Sequence, residues 1–202
     1  MLAEVNVYLP FQNTTASFAP PEMVLVNEKN NSPDLTGYGR VDYEYLIGKY
    51  EVSIGEYTNF LNSVAKDDCY GAWSTGMASA LTSAGVTRAG SAGSYTYTAM
   101  SVDGRSKPEN APYINPYDRP ITMVNYFQVM RFINWVENGM PTTGVCTSET
   151  TEDGTYPLNG QTAGTPPAVN NINPNTGIQP LYALPTENEW YKPAYYGGSG
   201  KY

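Results

Sequence analysis

The chain contains no histidine in its 202 residues. The side chain that most often serves as general base and metal ligand is therefore missing, and with it every Ser–His or Cys–His nucleophile pair. Charge is scarce as well. Lys, Arg, Asp and Glu make up 15% of the residues, against a usual share of about 25%. The 19 acids and 11 bases leave a net charge of −8. That sign repels a phosphate backbone, and no Lys/Arg cluster offsets it, so nucleic acid is excluded as an electrostatic partner. Apolar runs end after a few residues, so no segment is expected to span a membrane. The opening stretch MLAEVNVYLPFQ places Glu4 and Asn6 among its apolar residues and does not read as a signal peptide. Two readings follow: no export by that route, or a mature or trimmed form. Cysteine is limited to Cys69 and Cys146, both in loop-like sequence (KDDCYGAW and TTGVCTSETT). One pair carries no framework pattern, which leaves a long-range disulfide and two free thiols both open.

What is abundant is Gly (19), Tyr (18) and Pro (16). This composition fits a loop-rich surface held by neutral hydrogen bonds, and it suits an extracellular, cell-surface or virion protein better than a cytosolic enzyme. The length allows one domain with a real core, or a domain plus an arm. Residues 1–20 read as such an arm: Leu2, Val5, Val7, Leu9 and Phe11 alternate as in a strand, then dissolve into NTTASFAPP. The domain proper occupies 21–202.

Three cap-and-helix units organise that domain. After the strand-like PEMVLVNE and YEYLIGKYEV, Ser53 and Glu56 form a capping box ahead of Ile54, Tyr57, Phe60, Leu61, Val64 and Ala65 at helical spacing. A second unit runs from PITMV, taken as strand, through Asn125 and Gln128 to the apolar stripe Val129, Phe132, Ile133 and Val136, with Gly139 as stop. In the third, YAL is the strand and Thr186 with Glu189 the box, and Trp190 is the first large apolar residue. The spacing predicts helices over 54–65 and 126–137, a short one from Glu187, and strands near 23–26, 45–52 and 95–99. More than half of the chain should be irregular, mostly in the Gly/Ser/Thr/Asn/Pro-rich stretches 66–119 and 140–181.

The acidic pairs Asp67-Asp68 and Glu152-Asp153 supply only part of the six to eight oxygens that Ca²⁺ takes, so solvated turn residues are the preferred reading. Tyr43, Tyr45, Tyr50, Tyr95, Tyr97, Tyr195 and Tyr196 could stack on carbohydrate, though half-buried sheet packing is the stronger reading. The sequons at Asn13 and Asn30 matter only in a glycosylating host.

Five stretches in this order carry a resemblance: TGYGRVDYEYLIGKYEVSIGEYTNFLNSVAKDD (36–68), AGSAGSYTY (89–97), MVNYFQVMRFINWVENGMPT (123–142), TTEDGTYPLNG (150–160) and LPTENEWYKPAYY (184–196). Together they resemble the formylglycine-generating enzyme, or sulfatase-modifying factor, family, closest to its bacterial exported branch. The resemblance implies an α+β, C-type-lectin-like fold of low secondary-structure content with long loops. It also implies that LPTENEW lies mid-domain, so the chain is expected to be truncated. The family's calcium loops, remaining sheet strands and paired catalytic cysteines, which usually work with copper, would follow. Cys69 and Cys146 match none of the catalytic positions, so no catalytic residue, cofactor or metal ligand is assigned to this chain. Pro193 departs from the pattern, standing where exported relatives look to have Ala. Its missing N–H and ring clash predict that the helix kinks or ends near Lys192.

The functional expectation is a non-catalytic lectin-like module for binding or structural assembly. The alternative is a fragment of a formylglycine-generating-type oxidase that lacks its catalytic half. A truncated sheet leaves bare edges and uncovered apolar faces, and Phe132, Trp135 and Trp190 are the candidate interface. A neighbouring copy or a complementing subunit is the expected partner, with the arm at 1–20 a candidate for exchange.

Overall fold

A capping box begins each of the three longer helices. The computed structural model describes residues 19–79, 85–100 and 116–197. The helices are α1 (Ile54–Val64), the single turn α2 (Thr75–Ala78), α3 (Tyr126–Glu137) and α4 (Glu187–Tyr195). At α1, the Ser53 hydroxyl accepts from Glu56 N–H (3.1 Å) and the Glu56 carboxylate accepts from Ser53 N–H (2.6 Å). Asn125 with Gln128, and Thr186 with Glu189, repeat that exchange at α3 and α4. Each box satisfies two N–H groups that a helix start otherwise leaves unpaired. At the other end of α3, Gly139 takes φ +82°. Its N–H donates to Val136 O (3.0 Å) and that of Met140 to Trp135 O (2.8 Å), the paired bonds of a Schellman stop.

The strands form two antiparallel ribbons. β1 (Met23–Val26) pairs with β2 (Tyr45–Gly48), placing Leu25 opposite Leu46. β3 (Val86–Ala89) pairs with β4 (Thr96–Ala99), placing Val86 opposite Ala99. β2 stops four residues short of the expected 45–52 strand, and β3 has no counterpart among the strands read from the sequence. PITMV contributes only an isolated bridge between Ser53 and Pro120. YAL is not a strand at all. The N–H groups of Leu181 and Tyr182 donate instead to the Glu137 carboxylate (2.9 and 3.0 Å), and that of Leu184 donates to the Tyr156 hydroxyl. The arm strand and the Asn13 sequon lie outside the described residues. Most of the described chain is irregular loop, and the fold mixes short strands with short helices.

The core sits between α1, α3 and the β3–β4 ribbon. Tyr57 and Phe60 of α1 meet Phe132 and Trp135 of α3 at ring separations of 5.5–6.0 Å. Val86, Tyr97 and Ala99 close the cluster from the ribbon, with Met77 of α2 beside them. Asn62 stitches α1 to β4, since its amide both donates to Tyr97 O (2.8 Å) and accepts from Tyr97 N–H (2.9 Å). A second cluster forms along α3, where Phe127, Met130 and Ile133 pack on Tyr156 and Leu158. The helix is thus buried nearly all round, a pattern that an amphipathic surface helix does not show.

Candidate interface around helix α4

The polar residues of α3 hold the long loop 140–184 against the core. Arg131 is 0% exposed and pairs with Glu152 through two parallel bonds, Nε to Oε1 (2.7 Å) and Nη2 to Oε2 (2.9 Å). Its Nη2 also donates to Gln161 O, and the Tyr70 ring covers the guanidinium at 4.9 Å. The Thr151 hydroxyl and the Gly160 N–H donate to the Glu152 carboxylate, so the charge is satisfied on both oxygens. A wide turn over Ser148–Glu152, with three N–H groups converging on Thr147 O, aims Glu152 at the helix. One turn further on, Asn134 exchanges hydrogen bonds with Tyr156 and Thr151 at 2.8 Å. A buried bidentate pair with every partner in place fixes geometry more than it adds stability. This region is a frame.

Helix α4 docks on the β1–β2 ribbon and the loop between its strands. Gly39 N–H donates to Asn188 Oδ1 (2.8 Å), and the Tyr191 hydroxyl donates to Asp34 Oδ2 (2.5 Å). Lys192 is buried and donates to Glu28 O. Burial pushes its ammonium below the usual lysine value, and the nearby Glu28 and Asp42 charges oppose that shift. The Thr36 hydroxyl, then that of Tyr191, draws the Asp34 carboxyl down to about 2.

Pro193 does not stop the helix at Lys192. α4 continues to Tyr195, so of the expected kink or end near Lys192 the end is corrected. The carbonyl left without its helical donor is that of Glu189, four residues earlier. The Tyr45 hydroxyl of β2 donates to that oxygen at 2.7 Å. A side chain from a strand far away in sequence thus replaces the missing backbone bond, and the helix tolerates its proline.

Along α4 and the loop on which it docks, four rings run in contact. Tyr38 meets Tyr191 at 5.7 Å, Tyr191 meets Tyr195 at 4.6 Å, and Tyr195 meets Trp190 at 6.0 Å. Trp190 is 51% exposed, and Tyr38 and Tyr195 are exposed as well. Their planes are inclined by 34–76°, so the rings make an uneven apolar surface and no flat stacking platform. The other two members of the expected interface lie elsewhere. Phe132 is 3% and Trp135 1% exposed, because α1 and the β3–β4 ribbon already cover the face that the sequence reading left bare. The remaining tyrosines divide between sites: Tyr97 is buried in the core, and Tyr95 flanks Arg88.

Cys69 and Cys146 form a disulfide, with Cα atoms 5.9 Å apart, that ties the end of α1 to the loop before Ser148. Asp68 and Glu152 are not solvated turn residues. Asp68 pairs with Arg88, whose guanidinium lies between the Trp73 and Tyr95 rings at 4.1 and 4.2 Å. Both carboxylates are spent on arginines before a Ca²⁺ ion would find them. A cleft of about 700 Å³ opens between Tyr50, Tyr117, Glu51 and the start of α1. Two of its acids are already engaged, Glu22 by Lys49 and Glu56 by the cap of α1.

A family model described as "Sulfatase-modifying factor enzyme 1-like domain" matches residues 21–202. The chain belongs to the sulfatase-modifying factor family. No curated protein and no solved structure gave a match. The copper chemistry implied by this family needs two free thiolates held close together. In this sulfatase-modifying factor domain both sulfurs are bonded to one another, and no three His, Cys, Asp or Glu side chains converge among the described residues. The residues present do not fit a copper–thiolate centre. No described helix is long and apolar enough to cross a membrane.

Proposed function

We propose that this domain is a non-catalytic, C-type-lectin-like module that serves binding or structural assembly outside the cytosol. Its partner is a protein that covers the aromatic surface of α4. The observation that carries the reading is the file of four touching rings ending at the exposed Trp190. Aromatic side chains are the residues most enriched at protein contacts, and a joined apolar patch is costly to leave in water.

Sedimentation of the chain alone and with Trp190→Ala/Tyr195→Ala tests the contact. Assembly in the parent and a 22.1 kDa monomer in the variant is the expected result. Assembly that survives the double substitution, or a parent that stays monomeric at every concentration, overturns it. The family match over 21–202 favours a second reading, a fragment of a formylglycine-generating-type oxidase. Reading the frame past Tyr202 separates the two: a continuation holding two nearby cysteines supports the oxidase, and one without them supports the module.

A further inference from the structure

The β1–β2 ribbon carries an open edge whose register can be read residue by residue. Lys49 N–H donates to Glu22 O (2.8 Å), and the strands pair Met23 with Gly48, Val24 with Ile47, Leu25 with Leu46 and Val26 with Tyr45. In an antiparallel pair, inward-bonded and outward-facing residues alternate. Val24 and Val26 therefore bond to β2, while the N–H and C=O groups of Met23 and Leu25 face away from it. No described residue pairs with them. The same alternation sets the side chains. Tyr45 and Val26 share the face that meets α4 through the Tyr45 hydroxyl. Leu25 and Leu46, opposite one another, point to the other face, and each is 59% exposed. An apolar cross-strand pair beside a bare edge invites another strand.

The sequence supplies one. Val5, Val7 and Leu9 recur every second residue, so as a strand they share one face, and Pro10 ends the run. Residues 1–18 lie outside the described chain, and Ala19, Pro20 and Pro21 lead from them straight into β1. We propose that residues 5–9 add to the outer edge of β1 as an antiparallel third strand of the same molecule, with Val5, Val7 and Leu9 extending the Leu25–Leu46 face. The connection over residues 10–22 reaches roughly 43 Å when extended, far more than the ~4.8 Å between neighbouring strands. A tether of this length holds the segment at an effective concentration in the millimolar range, above that of a second copy in ordinary solution. The parity of the alternation is strict. A slip by one residue turns Asn6 and Tyr8 toward the leucines and Val7 away from them. This pairing uses the edge of β1 and is independent of the contact proposed for α4.

Amide exchange by NMR on the full chain tests it, with Phe60 in the core as internal reference. The Met23 and Leu25 amides should exchange at least ~10-fold more slowly in the full chain than in one beginning at Ala19. Val7→Asp should remove the protection, and Asn6→Asp, on the opposite face, should leave it intact. Equal exchange with and without residues 1–18 overturns the proposal. So does equal sensitivity to Val7→Asp and Asn6→Asp. Protection that grows with protein concentration also overturns it, because the added strand would then come from another copy.

Discussion

Replacing Arg131 by Met tests the frame at its tightest point. The guanidinium is 0% exposed and makes two bonds to Glu152 and one to Gln161 O. Met keeps most of the apolar stem and removes the charge, which strands a carboxylate of which 6% of the side-chain surface is exposed. Breaking one partner of such a buried pair costs roughly 3–5 kcal/mol, because the remaining ion has neither water nor counter-charge. At about 2–4 °C per kcal/mol for a chain of this size, the melting temperature should fall by roughly 6–20 °C. The second half of the test is the double variant Arg131→Met/Glu152→Leu. Removing the stranded carboxylate should recover much of the loss, so the double variant should be no less stable than Arg131→Met alone. Urea unfolding of the disulfide-intact chain, followed by fluorescence of the buried Trp135, gives all the stabilities in one assay. A single-variant cost below about 1 kcal/mol would show that the pair is solvated in solution. Strictly additive costs in the cycle would refute the coupling on which the argument rests.

Three further outcomes follow from the same geometry. Cys69→Ser/Cys146→Ser should lose about 4.5 kcal/mol, the loop-entropy value for a crosslink spanning 77 residues; a loss under ~1 kcal/mol in denaturant titration would mean that the bond constrains little. Tyr45→Phe should cost about 1 kcal/mol, and clearly less in a Pro193→Ala background, where the restored backbone N–H regains the Glu189 carbonyl; equal costs in both backgrounds would sink the proposed substitution of one donor for the other. The Asp34 carboxyl, hydrogen-bonded by Thr36 and Tyr191, should titrate near 2 by NMR. Because its folded value is depressed, the stability it lends is present above the unfolded value near 4 and is lost as pH falls toward 2, and Thr36→Val should move the midpoint upward.

The sequence by itself determined where the helices begin, because a capping box is a contact between residues three apart and needs nothing from the rest of the chain. Ser53 with Glu56, Asn125 with Gln128 and Thr186 with Glu189 start α1, α3 and α4 at the residues that the spacing predicts. The short apolar run at Met23–Val26 and the alternation around Thr96–Ala99 were legible for the same local reason. Family membership was legible too, since it rests on the order of five motifs.

Everything that depends on what a residue faces across the chain was decided by tertiary structure. The apolar stripe of α3 could be read, but the burial of its polar side against the 140–184 loop could not, because Arg131 and Asn134 look like solvent-facing residues until Glu152 and Tyr156 arrive. Asp68 and Glu152 looked like turn acids for the same reason. Phe132 and Trp135 were assigned to an interface because no local rule says that α1 and the β3–β4 ribbon will cover them. Pro193 was read as a kink or a stop because helix rules count only backbone donors, and Tyr45, 148 residues away by the difference of the two numbers, provides the missing one. Local propensities set the elements. Burial, and the partners that burial demands for every polar group, set their neighbours.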